Sequence, residues 1–525
     1  MKKTVCILTA GRGTRMGPYA SYINKALLPI NKKAIITHII EKFPKGTEFV
    51  IAVGYLSDQV KNFLAIAHPA ENILFVEVDN YIGPGSGPGY SLLSCKHLLN
   101  KPFYFVSCDT LWEGETSVDL EQNWVGVSRI DEANSAGYCN FKIKDNQVVS
   151  IHDKIKVKGE DYKGFIGLCY IRDYNVFWDG LGSSELISGE HQISNGICAL
   201  VKERTVKQCE VKWADVGTLE NYKKAVSNYE KYDFSKTNEF IYMQGGLIIK
   251  FFTDQNVVDR RVAKAKLNPE VFPEITEQRG QFYGYRFMPG QTLYEKNSSD
   301  MFKALLKWLD QNLWVEAKVP TEDMRRICKT FYYEKTLERL SLYNKKYKGA
   351  DTENVINGVK VPAVSDLIRQ FPWENIFSGE PMFFHGDLQF DNIIYTKQNS
   401  FVLLDWRQDF GGHIEFGDLY YDLAKLYGGI ILNYDFIKNN LINYSEEGSI
   451  INFDFAQRFS SKVYLAELNH FIRERGWDEQ KVRMLVPLIY LNMSPLHHYP
   501  FDKMLYALGR LMLTEELKGI RGIEI

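Results

Sequence analysis

Between Lys3 and about Tyr232, short apolar, β-branched or aromatic runs alternate with stretches of helical spacing; the runs are Thr4–Thr9, Phe49–Val53, Ile73–Val78 and Phe103–Ser107. This alternation predicts a mostly parallel α/β sheet. Open sheets of that kind bind ligands beyond the carboxyl ends of their strands, which singles out Ala10–Gly17 after the first run and Cys108-Asp109-Thr110 after the fourth. The pattern turns polar over Tyr229–Asn238, as a connector does, and divides the chain into domains 1–232 and 233–525. Phe240–Met243 and Leu247–Phe252, joined through Gln244-Gly245-Gly246, predict a hairpin. From Met301 onward the spacing is largely helical, interrupted by strand-like runs at Met382–Phe384 and Phe401–Leu404. There is no internal repeat and no low-complexity stretch.

Composition narrows the picture. A chain of 525 residues, 45% hydrophobic and 24% charged, is globular and too long for one core. With 63 Lys and Arg against 65 Asp and Glu, the formal charge of -2 offers no whole-molecule attraction to nucleic acid or to an anionic membrane. The eight cysteines are widely spaced with no C-x-x-C pair, which reads as reduced core thiols. The apolar run before Gly11 is too short for a signal sequence, and nothing else approaches a membrane span. A soluble, cytoplasmic protein without membrane insertion is expected.

Two strings carry chemistry. In Leu8-Thr-Ala-Gly-Arg-Gly-Thr-Arg-Met16, Gly11 and Gly13 let the backbone turn tightly and bring its N–H groups against phosphate oxygens, while Arg15 and Lys25 add fixed positive charge. Asp109 follows an apolar strand, and Asp215 lies in Trp213-Ala-Asp-Val-Gly-Thr218. A lone carboxylate is costly to bury, whereas two from separate elements can share one Mg²⁺ and leave positions open for substrate phosphates. Residues 3 to about 230 resemble the nucleotidyltransferases that make sugar nucleotides and CDP-alcohols, with their G-x-G-T-R and P-K motifs. Lys25 matches the lysine of the second motif, but Asn24 stands in place of its proline, a change expected to alter backbone stiffness more than charge. The resemblance implies a Rossmann-like domain in which Leu8, Ala10, Gly11, Gly13 and Thr14 line the nucleotide. Gly87, in the loop Gly83-Pro-Gly-Ser-Gly-Pro-Gly89, would close over the base. It further implies that Asp109 and Asp215 hold Mg²⁺, that Lys154 in His152-Asp-Lys154 meets the acceptor phosphate, and that Arg15 and Lys25 are catalytic. No general base is needed, since a phosphate monoester is already largely a dianion at neutral pH.

The second string is His385-Gly-Asp-Leu-Gln-Phe-Asp-Asn392, followed by Leu404-Asp-Trp406. Asp387 is placed to orient a hydroxyl or accept its proton, and Asn392 and Asp405 are placed to ligate Mg²⁺, the division of labour of a protein-kinase catalytic loop. Residues 238 to 515 resemble the aminoglycoside phosphotransferase and choline kinase superfamily. That likeness implies a bilobal, protein-kinase-like α+β fold, with an N-lobe over about 238–295 and a helical C-lobe over about 296–525. It also implies an orienting role for His385, a phosphate-binding Lys250, and an adenine hinge at Tyr285–Gly290. The segment after Lys250 lacks an obvious Glu to pair with it; Asp259 and Glu270 are the substitutes at hand.

A kinase makes a phosphomonoester and a nucleotidyltransferase consumes one. The expected activity is therefore bifunctional. ATP phosphorylates a small alcohol, and an NTP, with CTP ahead of UTP, then activates the product as a CDP-alcohol of choline or ethanolamine type for surface glycan or lipid decoration. An anomeric sugar kinase feeding a sugar-1-phosphate nucleotidyltransferase is the alternative. A third possibility is one silent domain acting as a ligand-binding module. Tyr464, Trp477, Tyr490 and Tyr499 could cage a quaternary ammonium, although aromatics at such spacing are more often core.

Overall fold

The strand Thr4–Leu8 is buried along its whole length, as a central parallel strand covered on both faces must be. In the computed structural model, which describes residues 3–114, 121–183, 186–187, 189–229, 238–296 and 298–519, it pairs in parallel with Glu48–Val53 and Phe103–Ser107. Asn72–Glu77 extends the same parallel set beyond Glu48–Val53. Successive side chains face opposite ways: Val5 and Ile7 enter one buried cluster, Cys6 and Leu8 the other. The nine-stranded sheet is nonetheless mixed, not mostly parallel. Tyr162–Ile171 runs antiparallel to Phe103–Ser107 and to Asn123–Ser128. This half holds a parallel pair, Val206–Glu210 with Asn123–Ser128, and one hairpin. Cys139–Lys144 and Gln147–Asp153 are joined through Asp145 and Asn146, both at positive φ, as a tight two-residue turn requires.

The expected hairpin is present, with Glu239–Gln244 in register with Leu247–Phe252 through Gly245 and Gly246. Its Phe240, Tyr242, Ile249 and Phe251 join Phe282 in the same cluster as Ile7, Ile51 and Phe63. This shared core is why the first compact unit comprises the described residues of Met1–Tyr229, Lys236–Asp254 and Glu277–Gly284. The boundary expected at 232/233 lies outside the described residues.

The second unit takes in residues 255–276 and those from Tyr285 onward. Its centre is the helix Leu419–Ile431, buried on nearly every side, so that Asp422 and Lys425 lie in the interior and must find partners there. Ile393–Thr396 pairs with Phe401–Leu403 and with Gly290–Thr292. The run at Met382 joins Gly417–Asp418 instead of the 401–403 strand. A small sheet ordered Val359–Val361, Asn354–Ile356, Ile450–Phe455 and Ile442–Glu447 went unforeseen, because its first two strands have three residues each and the last is mostly polar. All eight cysteines are free. Among the described residues no helix is long and apolar enough to cross a membrane.

Candidate active sites

In the first unit the chain leaves the strand Thr4–Leu8 through the glycine-rich loop and enters a 3-10 turn with Gly13 in the left-handed region, φ 62°. A Cβ on Gly13 would stand 3.2 Å from the Cβ of Lys25, so glycine is needed there for space as well as for conformation. Lys25 in turn forms an ion pair with Asp109, which sits just past the end of Phe103–Ser107. The short strand Trp213–Asp215 pairs with Thr110–Trp112 and sets Asp215 opposite Thr110. Gly217 separates the two carboxylates. A Cβ there would lie 2.8 Å from Asp215 Oδ1 and 2.9 Å from Asp109 Oδ2, so both acids face one small space that a side chain would fill.

Burial works to raise the Asp109 carboxyl, but the Lys25 ammonium, the Ser107 hydroxyl and Arg15 outweigh it and hold it at about 2. Burial likewise opposes the Lys25 charge, and Asp109 more than restores it, leaving the pKa raised. Asp215 is fixed differently. It accepts from Tyr138 Oη at 2.9 Å, Asn221 Nδ2 at 3.1 Å and the Gly217 N–H at 2.7 Å. Tyr138, pushed up to about 12 by burial and by Asp215, stays a hydrogen-bond donor. Arg15, Gly11 and Thr14 are exposed beside this cluster, whereas Leu8 and Ala10 are buried, Leu8 ending its strand opposite Ala52 and Ser107.

Asn24 does more than alter stiffness. Fully buried, it donates from Nδ2 to Thr9 O at 2.9 Å and to Tyr55 O at 2.8 Å, and its Oδ1 accepts from the Ala26 N–H at 3.0 Å. It therefore caps the 3-10 turn Lys25–Leu27 and ties it to the loops after the first two strands. Neither this role nor the parts played by Tyr138, Gly217 and Asn221 carries a sequence signal beyond nearness to Lys25 and Asp215.

The loop around Gly87 is docked. A Cβ on Gly87 would stand 2.7 Å from His191 O, and the Gly89 N–H donates to that same oxygen at 2.8 Å. Lys154, at positive φ, donates its N–H to Tyr138 O at 3.0 Å, and its Nζ lies 3.9 Å from Glu190 on the segment that holds the loop.

In the second unit His385 is wholly buried. Its Nδ1 accepts from the Asp387 N–H at 3.1 Å, so Nε2 carries the proton and donates to Leu404 O at 2.9 Å. Burial pushes its pKa down to about 4, which keeps the ring neutral and orienting. Asp387 Oδ1 pairs with Lys425 Nζ at 2.7 Å, while Asn392 Nδ2 donates to the Asp387 carbonyl at 2.9 Å. Burial would raise the Asp387 carboxyl, but Lys425 outweighs it and the pKa falls. Asp422 receives the N–H groups of His385 at 2.7 Å and Gly386 at 2.6 Å, a structural task, and burial lifts it to about 6. Asp405, in the left-handed region at φ 57°, pairs with Arg261 at 2.7 Å.

The helix Gln255–Leu267 thus brings cations to the Asp405 segment instead of the missing Glu. Arg261 meets Asp405, and Lys264 donates to Arg407 O at 2.9 Å. Asp259 accepts from Gln255 on that same helix at 3.0 Å. Lys250 sits opposite Ile241 in the hairpin of the first unit. Lys425, Arg261 and Lys264 were not anticipated, because only the fold brings them to the motif. Nor do the four late aromatics share a site. Tyr464 stacks on Phe302, Trp477 meets Trp314 edge-on, Tyr490 donates to Gly428 O, and Tyr499 is exposed beside Tyr444.

Residues 5–124 match the MobA-like NTP transferase domain family, a span that holds the glycine loop, Lys25, Gly87 and Asp109. The bifunctional protein GlmU of Methanococcus maripaludis strain S2 is 28% identical over 218 residues, covering 40% of this chain and 50% of that protein. The GlmU protein of Methanocaldococcus jannaschii is 25% identical over 258 residues, covering 48% of this chain and 57% of its own. The chain spans about half the length of the curated relatives it matches. Among solved structures, a UDP-glucose pyrophosphorylase complexed with UDP-glucose aligns with TM-score 0.39 and 18% identity over 44% of this chain and 98% of its own. The CTP:phosphocholine cytidylyltransferase from Streptococcus pneumoniae aligns with TM-score 0.35 and 22% identity, over 43% and 99%. The first 40% or so of the chain is a nucleotidyltransferase domain.

Proposed function

We propose that the chain performs two consecutive transfers, in the reverse of their order along the sequence. An alcohol first takes the γ-phosphoryl group of ATP in the second unit. The resulting phosphomonoester then attacks the α-phosphorus of an NTP, CTP ahead of UTP, in the first unit, giving an NDP-alcohol and pyrophosphate. A choline- or ethanolamine-like alcohol and a sugar phosphorylated at its anomeric position are the two pairings to be separated.

The observation that carries the phosphoryl-transfer step is the setting of Asp387. Its Oδ1 is held by Lys425, and its backbone is pinned by the neutral His385 and by Asn392. That fixes the carboxylate where it can orient a hydroxyl and accept its proton as the O–P bond forms and ADP leaves. For the nucleotidyl step, the space beside Gly217 suits a cation shared by Asp109 and Asp215, and Asn392 with Asp405 is the corresponding pair in the second unit. Mg²⁺ bound there would neutralise phosphate charge and orient the reacting groups. Among the described residues no cluster of three or more His, Cys, Asp or Glu could hold a metal, so substrate phosphates and water would complete each shell. Lys25 and Arg15 supply charge to the triphosphate, and the glycine loop presents N–H groups to it.

The test is a screen of the full chain with ATP, CTP and UTP against choline, ethanolamine, glycerol, glycerate, hexoses and hexose phosphates, following ADP and pyrophosphate together. One alcohol and one NTP giving both products in equal amounts is the expected result. Pyrophosphate from a supplied phosphomonoester, with no ADP from any alcohol, would remove the kinase half.

A further inference from the structure

Resting on the kinase reading of the second unit but choosing against its choline- or ethanolamine-like pairing, we infer that the alcohol phosphorylated there is an anion, bearing a carboxylate or a phosphate beside its reacting hydroxyl. The two oxygens of Asp387 face different surroundings. Oδ2 faces Asn392, whose Nδ2 stands 3.5 Å away, on the side of the expected metal ligands. Oδ1 faces Lys425, and there the chain gathers cations.

Burial first, then the charges of Arg407, Arg339 and Lys425, push the Lys335 pKa well down, with Asp409 as the opposing carboxylate, so an anion beside it would restore its charge. Asp409 is already engaged by Arg260 at 3.0 Å, and Lys425 by Asp387. One ring binds the group together: Lys335 Nζ lies 4.2 Å from the Phe331 centroid, and the Arg407 guanidinium carbon 5.1 Å from it. Arg407 donates from Nε only to a backbone oxygen, that of Asp409 at 3.1 Å. Arg339 Nε is buried without a hydrogen-bond partner. Among the described residues Lys335, Arg339 and Arg407 form no ion pair with an acid.

Like charges gathered in a partly buried place, with an unpartnered guanidinium N–H among them, are costly unless an anion completes the set. The local backbone is specialised as well. A π-helical turn, Lys329–Glu334, presents Phe331 and immediately precedes Lys335, and such turns recur at functional sites. A quaternary ammonium would meet repulsion here, and the Phe331 face that could hold it already carries protein cations. An anion set on Lys335 and Arg339 would leave its hydroxyl toward Asp387. The hydroxyl oxygen then bonds the γ-phosphorus, the bond to ADP breaks, and the proton passes to Asp387.

Full-length protein is assayed for ADP release with ATP and three small alcohols: choline, glycerol and glycerate. Glycerate is expected to exceed glycerol at least tenfold in kcat/KM, and choline to give no turnover. In the Lys335→Ala, Arg339→Ala double variant the KM for glycerate should rise tenfold or more with the KM for ATP unchanged, and Arg339→Lys should lose less than Arg339→Ala. Choline outperforming glycerate overturns the inference, as does a double variant in which ATP affinity falls instead. Should none of the three alcohols react, calorimetric binding of inorganic sulfate decides: tenfold weaker binding in the double variant upholds the inference, and equal binding overturns it. The kinase reading fails on a separate readout, an ADP release indifferent to Asp387→Asn.

Discussion

Each unit buries a carboxylate against a lysine from another part of the chain, Asp109 against Lys25 in the first and Asp387 against Lys425 in the second. What orients them differs. In the first unit the acids sit at strand ends, Lys25 rides a 3-10 turn stapled by Asn24, and the two carboxylates meet across a glycine. In the second the acid hangs in a hydrogen-bond web, with His385 and Asp422 each holding backbone N–H groups and Lys425 reaching out of a buried helix. A site built on sheet register is sensitive to added volume. A site built on a polar web is sensitive to the protonation of its members.

The two sites separate most clearly on substitution of Asp387. Asp387→Asn should lower ADP release about 10³-fold or more, the scale of losing a catalytic base together with its charge, and leave pyrophosphate release from a supplied phosphomonoester unchanged. Gly217→Ala comes next. Its methyl group would press on both acids, so nucleotidyl transfer should fall about 10²-fold with ADP release and melting temperature close to wild type. Asn24→Ala should cost about 2–3 kcal/mol in chemical denaturation, since the Thr9 and Tyr55 carbonyls and the Ala26 N–H lose a buried partner. Nucleotidyl transfer should drop roughly tenfold with it as Lys25 loosens.

The smallest effect is a difference in acid response. His385 is held near 4 when folded, against about 6.5 unfolded, so its contribution is fully present above about 6.5 and is lost as pH falls toward 4. Asp109 is held near 2, against about 3.9 unfolded, so its contribution persists down to about 4 and is lost as pH falls toward 2. His68 in the first unit is also held near 4 by burial. The measurement is therefore urea unfolding of wild type and His385→Asn between pH 7 and 4. The variant should show a shallower loss, by about 2 kcal/mol or less across that range. Equal slopes would remove His385 from the account.

The parallel strands and the expected hairpin were legible because buried runs and Gly-Gly turns are local signals. The mixed half of the first sheet was not, since apart from the hairpin through Asp145 and Asn146 its pairings join residues far apart in the chain and leave no periodic mark. The same holds for the sites. Gly13, Lys25 and Asp109 lie in short strings, and the structure sets them together. The cations of the second unit, Lys425, Arg261, Lys335 and Arg339, come from helices whose spacing says only which face is apolar. Asn24 shows a limit of motif reading: a substitution seen as a change of stiffness is a hydrogen-bonded staple once the loops around it are known.

If one chain carries two independent sites, two single-site variants mixed together restore what each lacks. Asp387→Asn and Asp215→Asn are each confirmed as folded by circular dichroism, then assayed separately and together with alcohol, ATP and NTP for the NDP-alcohol. Neither variant alone should form NDP-alcohol and the mixture should, as phosphomonoester made by one is used by the other. No product in the mixture, or loss of ADP release in the folded Asp215→Asn variant, would contradict that independence.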